Sequence, residues 1–273
     1  MEEWEKWVKK NQDHSEIAEW AYPLSEGRYT PTPLISYQMC MACETDSILE
    51  RLPGTEFALF PEDTFSFMAY GTDDYILGWI QYLHYRFVNV MGWTTYEEPL
   101  TGRLYVDIGR LIRMPSGSTS AAIDQVKRSN PTGVSLVIQT DTEDSLETLS
   151  LPCLKIGGDL LFVTVLPIEE EKIKPIVSCF REIKVIRPGW STPVMLPLVV
   201  VCCLNYNGNP PQKKQKTKLP KDYQESVDEV IELMISQQEY LASYIEEKDK
   251  SFLQTTAPTF VQFLTDGFPA WNI

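Results

Sequence analysis

Histidine is nearly absent from this chain, with His14 and His84 the only two among 273 residues. Triad chemistry and imidazole-based metal chemistry therefore have little material to work with. Positive charge is also scarce: 24 Lys and Arg against 38 Asp and Glu leave a formal charge of −14. A protein that grips nucleic acid unaided normally offers a basic surface to neutralise phosphates. Here the basic stretches are short, Lys127-Arg128 and the run QKKQKTKLPK from Gln212 to Lys221. That run follows Asn207-Gly208-Asn209-Pro210-Pro211 and reads as a solvated loop. Long apolar runs are missing too; the longest, LPLVVVCCL, is strand-sized and far short of a bilayer span. The opening MEEWEKWVKK lacks an apolar signal core. The expectation is an intracellular protein with no membrane partner.

Six cysteines are present, but a chain of this size needs no disulfide staples. Cys40 and Cys43 form a CxxC with no second CxxC or histidine pair to complete a zinc site, so no metal is expected and the thiols are read as reduced. Adjacent Cys202 and Cys203 fall in a buried-strand pattern, where neighbouring side chains point to opposite faces.

What is present is an α/β pattern. With 43% hydrophobic and 11% aromatic residues the chain is globular. A helix is expected near Glu2 to Glu19, a break at YTPTPL, and helices at LISYQMCMACETDSILERL and DDYILGWIQYLHYRF, followed by the extended piece FVNVMGW. From residue 101 strands alternate with helices. LYVDIG and VSLVIQTD read as strands flanking a helix that starts in the cluster SGSTS. DSLETLSLPCLK reads as a helix, and the Leu-Lys-x-Gly-Gly of LKIGG as the turn that leads into the strand DLLFVTVLP. The helix EEEKIKPIVSCF and the strands EIKVI and LPLVVVCCLNY follow; RPGWSTPVM joins the last two without a helix, as an antiparallel hairpin at one edge. Near-continuous apolar strands separated by helices imply a mostly parallel sheet with helices on both faces. The organisation expected is a helical and extended region at 1–100, an α/β core at 101–208, and a basic loop with a helical tail at 209–273, all in one compact domain.

VSLVIQTD, LKIGGDLLFVTV, CFREIKVIRPGWST and LVVVCCLNYNG resemble, in order and spacing, the later motifs of cap and ribose 2′-O-methyltransferases. That resemblance implies a Rossmann-like methyltransferase fold with helical N- and C-terminal additions. The family uses a Lys-Asp-Lys-Glu set in which a lysine of lowered pKa helps deprotonate a ribose hydroxyl. Asp141 matches the family aspartate, whereas Val163 and Thr164 hold the place of the central lysine, and Val194 to Leu198 contain no acid where the glutamate is expected. In YVDIGRLIRMPSGSTS, Asp107 and Gly109 stand as relics of a cofactor loop, with Arg110 to Arg113 in place of glycines. No cofactor is expected.

A methyltransferase-like chain without that lysine resembles the small, non-catalytic subunit of poxvirus-type mRNA-capping enzymes. PTPLISYQ, LERLP, ALFPEDTF and WIQYLHYRFVNVMGWTT extend the likeness into the first hundred residues. The resemblance implies a heterodimer with the large catalytic subunit, allosteric stimulation of its guanine-N7 methyltransferase, contact with RNA that is only indirect or weak, and a place in host cytoplasm and virion. Aromatic residues outside the core are candidates for the partner surface: Trp4, Trp7, Trp79 and Tyr82 in the first half, and Phe260, Phe263, Phe268 and Trp271 in an apolar tail. The nearest rival is an active S-adenosylmethionine-dependent ribose 2′-O-methyltransferase with a displaced lysine, Lys155 or Lys184. Behind it stands a free-standing pseudoenzyme scaffold.

Overall fold

The computed structural model describes residues 64–71, 76, 79–80, 83–84, 89–95, 110–115, 117–140, 145–186, 198–211 and 219–246. Seven strands form one sheet among these residues: β1 (Phe65–Tyr70), β2 (Val90–Thr94), β3 (Leu111–Arg113), β4 (Val134–Thr140), β5 (Leu154–Val165), β6 (Phe180–Ile186) and β7 (Leu198–Tyr206), in the order β3-β2-β1-β4-β5-β7-β6. The pairings from β3 across to β5 are parallel, and β7 runs antiparallel to both β5 and β6. A central first strand, a reversal of winding between β1 and β4, and an antiparallel seventh strand inserted beside the fifth make this the Rossmann-like methyltransferase fold.

The side chains follow the pleat. On one face Met68, Trp93, Val137, Phe162, Val201 and Cys203 join a single core cluster. Into it pack α1 (Thr119–Ser129) through Ala122 and Val126, the short α2 (Ser150–Cys153) and α3 (Glu170–Ile173), and α4 (Lys221–Glu246). Phe67, Leu136, Ile138, Leu161, Val163 and Cys202 are buried as well but stand outside that cluster, as strand alternation requires for the opposite face. Ile76, Trp79, Ile80 and Leu83, all fully buried, recur at the i, i+3, i+4, i+7 spacing of one helix face. Phe67 meets His84 of that helix edge-on at 5.9 Å between ring centroids.

Ser118 caps α1, its hydroxyl accepting from the Ala121 amide at 3.4 Å, which confirms the Ser/Thr cluster as a start signal. α4 buries Tyr223, Val227, Val230 and Ile231 along one stripe and lies against β6.

Two expectations are corrected. The sheet starts at Phe65, so β1 and β2 lie inside the segment 1–100 assigned to a region outside the core; FSFMAY, only six residues long and apolar throughout, carries no alternation to mark it. LKIGG is strand, not turn: Val134 pairs with Leu154 and Leu136 with Asp159, so β5 accommodates extra residues as a bulge, with Gly157 at φ 81°. The antiparallel pair β6–β7 stands at one edge of the sheet as expected, with β6 outermost. The segments 1–63, 96–109, 187–197, 212–218 and 247–273, including LYVDIG, the CxxC and the aromatic tail, lie outside the described residues.

Candidate functional site

In an open α/β sheet the winding reverses between two neighbouring strands, and the helices that follow them leave the sheet on opposite sides. A crevice opens at the carboxyl ends of those strands, and ligands bind there. Here the reversal falls between β1 and β4. The carboxyl edge around it is made by Tyr70-Gly71 after β1, Thr94-Thr95 after β2, Gln139-Thr140 of β4 and Val163-Thr164 of β5, which the ladder places beside Thr140.

Gly71 is the tightest point of this edge. Its φ is 144°, and a Cβ placed there would sit 1.7 Å from Thr140 Oγ1. Only glycine tolerates that approach. Its backbone amide donates to Thr95 Oγ1 at 3.2 Å, and the same hydroxyl donates back to the Gly71 carbonyl at 3.3 Å. In dinucleotide-binding folds a glycine after the first strand lets backbone approach a ligand; in this chain the Gly71 backbone lies against Thr140 and Thr95. Deeper in, Ser150 Oγ donates to Gln139 Oε1 at 2.5 Å, both fully buried. The polar side chains of these four strand ends are hydroxyls and one amide, with the Tyr70 phenol beside them, and no lysine, carboxylate or histidine stands there among the described residues. Such a set can orient a neutral group by hydrogen bonds but holds no general base near neutral pH.

Val163 and Thr164 end β5 at this edge, 2% and 3% exposed, opposite Val200 and Val199 of β7. The two lysines offered as substitutes stand elsewhere. Lys155 lies at the other end of β5, where burial pushes its ammonium below the ordinary lysine range. Lys184 is on edge strand β6, paired with Glu182 at 3.0 Å. Arg110 to Arg113, placed by the sequence in a glycine-poor loop, are not loop throughout: Leu111–Arg113 are the outer strand β3, and Arg110 donates to Asn89 Oδ1 at 3.2 Å. The loop that follows the central strand starts at Gly71 instead. Asp141, Asp107, Gly109, Trp4, Trp7, Tyr82, Phe260, Phe263, Phe268 and Trp271 lie outside the described residues. Trp79 does not; it is fully buried, a core position and not a docking surface, because its place on the helix faces the sheet. Sequence reasoning missed Gly71, Thr95 and Thr140, and the signal available was the glycine directly after the apolar run FSFMAY.

At the opposite, amino edge a cleft of about 440 Å³ is lined by Gly157, Asp159, Arg181, Glu182, Leu204 and Asn205. Asp159, 5% exposed, accepts from the Asn205 amide at 2.7 Å, and Asn205 has φ 60°. Among the described residues no group of three His, Cys, Asp or Glu side chains is gathered for a metal ion. Cys153, Cys179, Cys202 and Cys203 are free and buried; burial pushes the Cys153 thiol up to about 12 and the Cys203 thiol well above its usual value. These are structural thiols, not nucleophiles.

Strand order and directions together define an α/β protein of methyltransferase-like fold, with Gly71, Thr95 and Thr140 in mutual contact at the described part of its carboxyl edge. No family model matches the sequence, and no curated protein matches it. Solved structures similar to this chain include several methyltransferases and a probable spermidine synthase from Corynebacterium glutamicum. Human methyltransferase-like protein 13 in complex with SAH is 11% identical over 72% of this chain and 92% of its own, with a TM-score of 0.41. An rRNA methylase from Streptococcus thermophilus is 12% identical over 61% and 96%, at 0.40. A predicted O-methyltransferase from Agrobacterium tumefaciens is 13% identical over 67% and 94%, at 0.35. The fold assignment rests on the strand order and directions.

Proposed function

We propose that this chain is a catalytically inactive, methyltransferase-like regulatory subunit, the counterpart of the small subunit of poxvirus-type mRNA-capping enzymes. It binds the large catalytic subunit as a heterodimer and stimulates guanine-N7 methylation of the cap, in host cytoplasm and virion. One observation carries the reading: at the end of β5, where the ribose methyltransferases it resembles need a lysine, Val163 and Thr164 are buried in the sheet. Neither can take a proton from a ribose hydroxyl at neutral pH. The engagement of Gly71 by Thr95 and Thr140 next to it supports the same reading.

A subunit that cannot reach the chemistry acts by binding the partner's competent state more tightly than its other states. Linkage makes that reciprocal for binding, so cofactor and cap substrate on the large subunit tighten the heterodimer. The candidate anchors for docking are Trp4, Trp7, Tyr82, Phe260, Phe263, Phe268 and Trp271. Two measurements test the proposal. Isothermal titration of the isolated chain with S-adenosylmethionine is expected to show no micromolar binding; tight binding together with methylated capped RNA as product overturns it in favour of an active methyltransferase. Co-expression with the large capping subunit is expected to yield a heterodimer with raised N7-methylation, and a large subunit equally active alone overturns the regulatory role.

A further inference from the structure

The lysines of the described residues fall into two groups. Lys172, Lys174, Lys184 and Lys221 each hold a carboxylate at 2.8–3.2 Å. Lys127 and Lys155 hold none among the described residues, nor do Arg128 and Arg181. These four share one place, the amino edge of the sheet.

Their contiguity follows from backbone packing. Lys127 and Arg128 close the last turn of α1. The turn after it carries Gly133, at φ 90°, whose missing Cβ would lie 2.6–2.7 Å from Cys153 O, Leu154 C and Lys155 N. The end of α1 is therefore pressed against the start of β5. From Lys155 the bulge leads through Ile156 and Gly157 into the cleft that Asn205 and Arg181 line. Lys127, Arg128, Lys155 and Arg181 thus run past β4, β5, β7 and β6, about 14 Å at the usual strand spacing. Of the carboxylates nearby, Asp159 is buried and accepts from Asn205, and Glu182 is paired with Lys184. Two further carboxylates are Asp124 on α1 and Glu147, which lies near Cys179. Beside the cleft stands Ile156, 76% exposed on the bulge, an apolar side chain with nothing of the described chain over it except the neighbourhood of Gly208.

We propose that this strip is a binding track for single-stranded RNA, with phosphates passing Lys127, Arg128, Lys155 and Arg181 and a base entering the cleft against Ile156. Cations spaced along an edge track a backbone, while a cleft lined by a guanidinium, an amide and carboxylates, with an exposed isoleucine next to its Gly157, takes an unstacked base. The same mixture of donors and acceptors favours a nucleotide over an acidic peptide, which would use the cations alone. Few phosphate contacts on a chain of charge −14 make the binding weak and strongly dependent on salt. The track is independent of the proposed subunit role: either can fail without the other.

The test is fluorescence anisotropy of a short single-stranded RNA oligonucleotide with the full chain, across a salt series. Wild type is expected to bind at low salt. The combined Lys127→Ala, Arg128→Ala, Lys155→Ala and Arg181→Ala variant, verified as folded by circular dichroism, is expected to lose at least tenfold. Every phosphate that a cation neutralises adds about 0.7 to the steepness of log K against log salt, so the variant is expected to show a shallower dependence. Ile156→Ala is expected to weaken binding severalfold without changing that slope, and Lys221→Ala, a paired lysine, to leave both unchanged. Absence of binding at low salt, or equal binding by the fourfold variant, overturns the proposal. So does polyglutamate that competes as well as RNA at equal charge, which assigns the strip to an acidic protein instead.

Discussion

The carboxyl and amino edges of this sheet share strands but not chemistry. At the carboxyl edge Gly71, Thr95, Thr140, Gln139 and Ser150 satisfy or crowd one another, and Val163 and Thr164 are sealed in the sheet. At the amino edge four cations lack carboxylate partners among the described residues, and a cleft stands beside an exposed isoleucine. A fold's customary ligand position is a consequence of topology, which places a crevice at strand ends; whether the crevice is usable depends on which side chains end those strands. Here the described strand ends of the customary edge carry hydroxyls and an amide bonded to one another, and the cations without carboxylate partners among the described residues lie at the other end.

The most severe way to break the contrast is to put a lysine into the carboxyl-edge part of β5. Val163→Lys puts an unpaired ammonium where a valine is 2% exposed, which is expected to cost roughly 3–5 kcal/mol and to restore no methyl transfer. Urea denaturation and a methylation assay on capped RNA read the two outcomes. Gly71→Ala forces a methyl onto Thr140 Oγ1 in a backbone conformation that favours glycine, and a loss of about 3 kcal/mol is expected. Adding Thr140→Ala should recover part of it, since Thr140 Cβ is also within 2.8 Å; a double variant no better than the single one would show that conformation, not crowding, dominates. Ser150→Ala removes a buried donor from the Gln139 carbonyl, for about 1–2 kcal/mol by the same measurement.

The smallest effect sharpens the amino edge. Burial lowers the Lys155 pKa in the folded state, so between the folded value and the ordinary 10.5 the unfolded chain binds the extra proton. Stability contributed by this group therefore rises with pH through that window, and the burial penalty is fully present below it. Lys155→Met is expected to remove that rise and, with the burial penalty gone, to be slightly more stable than wild type at neutral pH. The difference between wild type and variant isolates it from Tyr206, Tyr223 and the buried thiols, whose raised pKa values make stability fall as pH climbs past their usual range.

From the sequence alone, β4, β6, β7, the helix opened by Ser118 and the helical tail were legible, because each is a long apolar run or a capped amphipathic segment bounded by turn residues. The strand that carries Val163 and Thr164 was legible too, as the apolar run DLLFVTV. The central strand was not legible. FSFMAY has the burial of an inner parallel strand on both faces, and local periodicity does not tell such a short run from any other apolar piece. With the strand went the position of the crevice, which was sought after LYVDIG and lies after Tyr70. Only tertiary structure decided that Gly71 meets Thr140 across 69 residues, and that the end of α1 rests on the start of β5. Those contacts come from how the sheet winds, and winding is a property of all the strands together that no single segment encodes.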